Sequence, residues 1–382
     1  MAITATPVNK SGQAILLNDL WAKAEAAKHR NLMSALQTRL PLLAYLAGKT
    51  RGETNLGRPD QLGFVGPGVL DMVEKEMLRA AEYHVAVHLQ RTGGTKNQTQ
   101  RGTTASTGTS SYDQNITSSV FRWAGIQTPL KVFSSAVLTE NASNQSASWM
   151  KGSVDEGMEE HFDEVATQLW RGTPTDTEAN FWSEPMGVVH AMQDDTAHFY
   201  GNLQMNTTTW FGQRHVGAVT ASLKLLNKAM FNPPTGVPAA NRSNGFDLAL
   251  TSGQIYEKLK DEAQALGQLH IVESLPGHKE IGTKFEAIRW NNTYITYDPI
   301  LTQANDWSAF DSELTDTSKF LALFRSEDWV FMTHPSRNFK VDKWYYPEGE
   351  HGKDEAFTSL ITTWLRLVCL RPWNQYLFTN VS

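Results

Sequence analysis

Residues 144–172, NQSASWMKGSVDEGMEEHFDEVATQLWRG, limit what this chain can fold into more than any other stretch. Val154, Met158, Phe162, Val165 and Leu169 recur at steps of four, four, three and four. That is the apolar stripe of an amphipathic helix. Asp155, Glu156, Glu159, Glu160, Asp163 and Glu164 fall between them and make the opposite face acidic. Ser146 or Ser148 supplies an N-cap, and Gly172 with Pro174 supplies the stop, so a spine helix is expected over 146–171. About 25 residues at roughly 1.5 Å each make a rod of roughly 37 Å, longer than most globular helices. Such a rod needs a whole layer to cover its one apolar face.

Ahead of the rod, core-forming residues are sparse. Residues 1–16 read as a loose arm, and Asn18 caps a helix to about Gln37 with Leu20, Ala24, Ala27, Leu32 and Leu36 on one side. After a short apolar knot at 40–46, residues 49–68 are polar and rich in Gly and Pro, a linker or extended arm. Gly63, Gly66 and Gly68 do not make a phosphate loop: no Lys-Ser/Thr follows, and Pro67 removes an amide. Tyr83, Val85, Val87 and Leu89 alternate with His84, Ala86 and His88, giving a strand with one buried face. Residues 91–119 then hold almost nothing to bury, while both flanks favour strands. The expected form is a two-stranded excursion over 91–134 with a polar Thr/Gly tip. An isolated hairpin is marginal in water, so this one needs a neighbouring molecule to lie on.

Behind the rod the pattern is conventional. Residues 181–192 suggest a turn running into a strand. Val216, Val219, Leu223, Leu226 and Met230 suggest a second helix, ended by Pro233, Pro234 and Gly236. A crossing at 235–245 leads to a strand at 246–252 and a helix that Ser252 and Gln254 start and that runs to about Leu266. Further strands are expected at 269–274, as a pair around Asn291 and Asn292, at 320–324 and at 329–332. Residues 361–381 form an apolar run suited to a buried closing strand or pair.

Candidate chemistry is thin. His161 and Glu164, beside Glu159, Glu160 and Asp163, have the spacing of a helical carboxylate metal site. That design needs a second equivalent helix, so a solvated or inter-subunit charged face is expected instead. Asp194, Asp195 and His198 form an acid–base or mononuclear metal set on paper, with Gly201 and Asn202 pointing to a turn. His84 and His88 share one strand face without a third ligand, and His351 sits in a carboxylate-rich loop. No HExxH, Gly-x-Ser-x-Gly or Walker A occurs. The expectation is therefore no catalytic residue, no metal and no cofactor. Cys369 is the one cysteine and lies among Leu365, Leu367, Val368 and Leu370, as a buried structural thiol does. A reducing compartment follows, and neither a membrane span nor a secretory leader is expected. The net charge of -6 argues against an electrostatic nucleic-acid binder. Twelve tryptophans in 382 residues suggest extensive subunit contacts.

The order of these pieces carries a resemblance: helical arm, polar extended stretch, long β excursion, acidic helix, second helix, then a module opening FDLALTSGQIYEKL. Ile295, Tyr297, Asp298 and Pro299 in KFEAIRWNNTYITYDPIL, and the closing WNQYLFTNV, add to it. Together they resemble the major capsid proteins of tailed bacteriophages, whose fold is the Hong Kong 97 type. The resemblance implies an α+β fold with an N-terminal arm over 1–65 and an extended loop (the E-loop) over 91–134. It implies a peripheral domain over 66–90, 135–235 and 335–382, and an axial domain over 236–334. It also implies self-assembly as pentamers and hexamers into an icosahedral virion shell that encloses DNA without reading its sequence. Assembly would be in the host cytoplasm, with scaffolding, portal and decoration proteins as further partners. No coiled-coil propeptide precedes the arm, so any scaffold is expected to be separate or to lie in the short N-terminus. Lys96 in the loop tip matches a crosslinking lysine in position only. An encapsulin-like compartment and a cytosolic metal-dependent enzyme are the alternatives.

Overall fold

The apolar stripe forms the buried face of one helix, α1 (Ser143–Arg171). Val154, Met158, Phe162, Val165 and Leu169 are all buried, while Glu156, Glu159, Glu160 and Asp163 are exposed. The helix starts three residues before the expected 146 and ends where expected. The computed structural model describes residues 41–42, 82–88, 116–133, 143–174, 181–193, 198–205, 210–231, 245–267, 271–272, 286–291, 293–308, 314–325, 328–334, 337, 339–344 and 356–382. The expected N-terminal helix, the 49–68 stretch, the excursion tip and the 235–244 crossing lie outside them.

The strands before α1 are β1 (Glu82–His88), β2 (Ile116–Arg122) and β3 (Ala124–Phe133). After it come α2 (Val188–Ala191), β4 (Phe199–Tyr200), β5 (Leu203–Gln204), β6 (Gln213–His215) and α3 (Leu223–Phe231). There follow β7 (Leu248–Thr251), α4 (Gly253–Ala265), β8 (Ile271–Val272), β9 (Ala287–Trp290), β10 (Thr293–Tyr297) and α5 (Pro299–Thr302). The chain closes with β11 (Leu321–Phe324), β12 (Trp329–Thr333), β13 (Lys340–Val341), β14 (Ala356–Cys369) and β15 (Tyr376–Phe378). The architecture is mixed α and β, as expected.

α1 lies on a four-stranded antiparallel sheet. Its centre is β14, which pairs with β3 from Ala356↔Phe133 to Leu365↔Ala124 on one side, and with β12 and β13 on the other. Ile126, Thr128 and Leu130 of β3 are buried, and Gln127, Pro129 and Lys131 between them are exposed. The helix crosses β3 so closely that a Cβ on Gly157 would sit 2.2 Å from Leu130 Cδ2. Phe162 stacks on Phe339 at 4.3 Å between ring centroids. This corrects the expected excursion. β3 belongs to the body sheet, where it pairs with β14 and its apolar residues face α1, so it is no part of the β1–β2 ribbon. β1 and β2 pair with each other, from Glu82↔Arg122 to His88↔Ile116.

A second, seven-stranded sheet has the order β6-β15-β11-β7-β10-β9-β8. Its faces alternate between two cores. Leu248, Leu250, Ala322, Phe324 and Leu377 face the core that α1 shares. Ala249, Leu321, Leu323, Ile295 and Phe378 face α3 and α4 with Leu226, Ile255 and Leu259. Covered on both sides, β7 and β11 are buried at every position. The short pair expected around Asn291 is β9–β10, with Asn291 at φ 52° in the turn. Ser252 caps α4, and its hydroxyl accepts the Ile255 N–H.

Two expectations fail for physical reasons. Residues 188–191 are a turn of helix and not a strand: all four are buried, and Ala191 N–H and Met192 N–H close back onto the carbonyls of Gly187 and Val188. α3 begins at Leu223, not Val216. Val216 is exposed, and Val219 forms a parallel bridge with Val381 instead. The closing run is a pair of strands, one of the two forms expected: it divides at Arg371–Pro372, so β14 serves the four-stranded sheet while β15 lies between β6 and β11 in the other. Trp123, Trp170, Trp182, Trp210, Trp307, Trp329 and Trp344 are buried within the chain's own core, so their number is no sign of subunit contacts. Among the described residues no helix is long and apolar enough to cross a membrane.

Truncating Phe162 to Ala should cost about 3–5 kcal/mol, because it empties a stacked position under the helix. Gly157→Val should also destabilise, since its first carbon already meets Leu130, whereas Glu160→Gln should stay within about 0.5 kcal/mol of the parent. Urea unfolding of the three variants checks this ranking; an E160Q penalty above that of F162A would put the wrong face of α1 inward.

Candidate functional site

The C-terminal end of α1 meets the seven-stranded sheet at one buried carboxylate. Asp298 leaves β10 and caps α5, with Pro299 preset in the first turn. Its Oδ1 accepts the Ile300 N–H at 2.9 Å. Its Oδ2 accepts the Trp170 indole N–H at 3.2 Å and the Leu42 N–H at 3.4 Å. Asp298 therefore ties together α1, the seven-stranded sheet and the backbone at Leu42. Burial pushes its carboxyl up to about 6, against the pull of these three donors.

Further along α1, His161 is fully buried and enters the sheet between two threonines. Nδ1 lies 2.8 Å from Thr128 Oγ1 on β3, and Nε2 lies 2.7 Å from Thr363 Oγ1 on β14. Desolvation lowers its pKa to about 4, so the ring is neutral at pH 7. The expected solvated histidine is thus a core one. Position 161 adjoins Phe162 in the apolar stripe, and helical geometry turns it onto β3 rather than toward solvent.

The root of the β1–β2 ribbon is a third built feature. Arg366 of β14 is buried with its guanidinium 4.2 Å from the Trp123 ring. Burial lowers its pKa to about 10, while Tyr83 and Glu82 favour its charge. Arg122 pairs with Glu82 across the ribbon at 2.9 Å. Ser119 donates to the carbonyls of Tyr200 and Gly201 at 2.9 and 2.8 Å, and the Gly201 carbonyl also accepts the Val120 N–H. Gly201 has φ +62°, and any Cβ there would lie 2.0 Å from Ser119 Oγ. The Tyr200 hydroxyl in turn accepts the Cys369 N–H at 2.7 Å. Cys369 is buried as expected, and burial pushes its thiol up.

The sequence candidates do not converge. Glu164 accepts the Gln168 side-chain amide at 2.7 Å, away from the Thr–His–Thr bridge that holds His161. His84 is exposed, 3.3 Å from Glu82, and the His88 side chain lies outside the described residues. His198 packs near His190, their ring centroids 6.1 Å apart, and His190 is hydrogen-bonded to the Phe199 carbonyl. With Arg171, Gln193 and Trp307 the two histidines line a small cleft. Asp194, Asp195, His351, Lys96, Gly63, Gly66 and Gly68 lie outside the described residues. Among the described residues no group of three or more His, Cys, Asp or Glu could hold a metal ion. Sequence reasoning named Asp298 only as part of a motif and missed Arg366. The Asp-Pro pair is a helix-start signal, but nothing in sequence marks which donors reach the carboxylate.

No protein-family model matches the sequence, and no curated protein matches it. Solved structures do. An encapsulin complex from Synechococcus elongatus is 12% identical, covers 84% of this chain and 91% of its own, with a TM-score of 0.44. The capsid of a native GTA particle is 10% identical over 88% of this chain and 97% of its own, with a TM-score of 0.42. The head of a Helicobacter pylori bacteriophage is 10% identical over 78% and 84%, with a TM-score of 0.40.

The two buried titrating groups pull stability in opposite directions. His161 binds its proton more weakly folded (about 4) than unfolded (ordinarily 6.5), so its contribution is present above the unfolded value and lost as pH falls toward 4. Asp298 binds its proton more tightly folded (about 6) than unfolded (ordinarily 3.8), so its contribution is present at low pH and lost as pH rises through 6. Each swing is worth about 3 kcal/mol, and they oppose across pH 4–6. Relative to the parent chain, His161→Gln should lose stability with rising pH over that window, and Asp298→Asn should gain it. Urea melts at pH 4, 5, 6 and 7 read both slopes; equal slopes in the two variants would contradict the assignment.

Proposed function

We propose that this chain is the self-assembling subunit of a protein shell, the major capsid protein of a tailed bacteriophage with the Hong Kong 97-type fold. The observation that carries the proposal is the β1–β2 ribbon. Its root is locked by Arg366, Trp123, Ser119 and Tyr200, while the connecting residues 91–115 offer almost no apolar side chain for the chain's own core. A rigidly aimed ribbon with a tip that cannot bury itself is built to lie on another molecule.

The rest of the chain supports that reading. α1 presents an acidic face of Glu156, Glu159, Glu160 and Asp163, and the buried His161, Asp298 and Arg366 serve as structural ties. Head-to-tail contacts between identical subunits close into rings, and rings of five and six tile a closed shell. In this reading 1–65 is the arm, 91–134 the extended loop less β3, 236–334 the axial domain that closes pentamers and hexamers, and 66–90, 135–235 and 335–382 the peripheral body. The net charge of -6 suits a wall that encloses DNA without gripping it. Scaffolding, portal and decoration proteins are partners of such a shell in the host cytoplasm.

Removing residues 95–113 and joining Gly94 to Gln114 by a short Gly/Ser turn should leave a soluble subunit with unchanged helix content. Closed particles should disappear, since shell contacts of standard size bury about 1,600 Å² and the ribbon supplies one of them. Sedimentation of both proteins side by side reads this. Normal shells from the deletion would make the tip passive. Full-length particles filled with an enzyme cargo rather than DNA would replace the phage reading by an encapsulin-like one.

A further inference from the structure

The module built on the seven-stranded sheet carries two exposed patches of opposite character. One is an open groove of about 470 Å³ along the start of α3, floored by Val219 and Leu225 and edged by Lys224 and Lys228. Both lysines are exposed, and Val216 beside the groove is 37% exposed. The other patch is the outer edge of α4. Glu257 and Asp261 are exposed one helical turn apart on the same side, with Lys258 about 100° round the helix. Beyond them Leu266 is 55% exposed, the largest exposure among the big apolar side chains described.

Among the described residues, the end of α4 also carries a negative field. A helix C-terminus carries about half a negative charge and is stabilised by cations in its last turn. α4 has no basic residue there, and Asp261 adds to the negative field. The α3 groove holds what that end lacks: two cations around an apolar floor. Both patches lie on the one module; within the chain the start of α3 meets α4 where the Leu223 N–H donates to Glu262 Oε2 at 2.7 Å, while Lys224, Lys228, Glu257 and Asp261 stay exposed.

Resting on the shell reading above, we propose that the α3 groove of one subunit receives the α4 end of the next copy in a head-to-tail ring. Leu266 enters the groove against Val219 and Leu225, and Lys224 and Lys228 face Glu257, Asp261 and the α4 carbonyl end. Two different patches of one surface make a heterologous contact, which closes into rings when the rotation allows. Single surface ion pairs are weak, but opposed charge fixes register and rejects wrong neighbours.

Charge exchange on the full chain tests this. Lys224→Glu with Lys228→Glu should raise the protein concentration needed for assembly at least about tenfold, and so should Glu257→Lys with Asp261→Lys. The chain carrying all four substitutions has complementary patches again and should assemble close to the parent concentration. Far-UV circular dichroism confirms that each variant folds, and sedimentation reads assembly. Leu266→Ser, which leaves charge untouched, should also weaken assembly. One-sided variants that assemble like the parent, or a fourfold variant that folds but does not recover, would overturn the pairing. A parent chain that forms no rings or shells would instead overturn the functional reading beneath it.

Discussion

Everything else in this fold hangs on the close seating of α1 across β3 and β14. Gly157 lets the helix backbone come down onto Leu130, Phe162 stacks on Phe339, and His161 reaches between the strands to bridge Thr128 and Thr363. The three contacts have different physics and one geometric effect. The missing side chain sets the separation, the stacked rings set the rotation about the axis, and the imidazole fixes the register. A neutral histidine can donate from one nitrogen and accept at the other, so both threonine hydroxyls find a partner without burying a charge. Thr363 Oγ1 also accepts the Phe339 N–H at 3.1 Å, which joins the bridge to the stacked ring.

With α1 fixed, its far end determines where the seven-stranded sheet sits. Trp170 packs edge-on to Phe324 at 6.0 Å and donates to Asp298. A buried carboxylate is an expensive tie, because desolvation of the ion opposes every hydrogen bond it accepts. Its advantage is valence: one side chain collects donors from α1, α5 and the backbone at Leu42, which no apolar residue does. The raised pKa measures how incompletely those donors offset the burial. Asp298 therefore specifies the junction more than it stabilises it.

Much of this was legible in sequence, and what was legible was periodic. The spacing of Val154, Met158, Phe162, Val165 and Leu169 named both the helix and its buried face, and the Ser252 cap and the Asn291 turn announced their elements directly. Periodicity fails where burial is two-sided or where sequence neighbours part company. Residues 188–191 are buried all round, so apolar character could not separate a helical turn from a strand. Ile126, Thr128 and Leu130 alternate as any strand does, and nothing local says that their partner is β14, more than two hundred residues away, rather than β2. His161 shows the same limit in a site residue: its charged neighbours suggested solvent, and only its position above Thr128 and Thr363 reveals a core group. Tryptophan count misled because it reports a need for burial without saying whose core provides it.

The same separation between local and distant information bears on assembly. A closed shell requires subunits rigid enough to transmit orientation and contacts weak enough to be broken when wrongly made. In this chain rigidity is concentrated at the roots. β2 is pinned by Ser119 and by the Val120 N–H to the turn at Gly201, Arg366 lies over Trp123, and Tyr200 reaches back to Cys369. The outward surfaces are different in kind: exposed charges on α1, α3 and α4, each worth less than about 1 kcal/mol as a single contact. Such contacts accumulate only when several are made together in the correct geometry, and that geometry is dictated by the buried ties. In the shell proposed above, such a subunit would discriminate by alignment: a change at a buried root such as Gly201 or Asp298 would act on every outward contact at once, while a change at one surface charge would act on one.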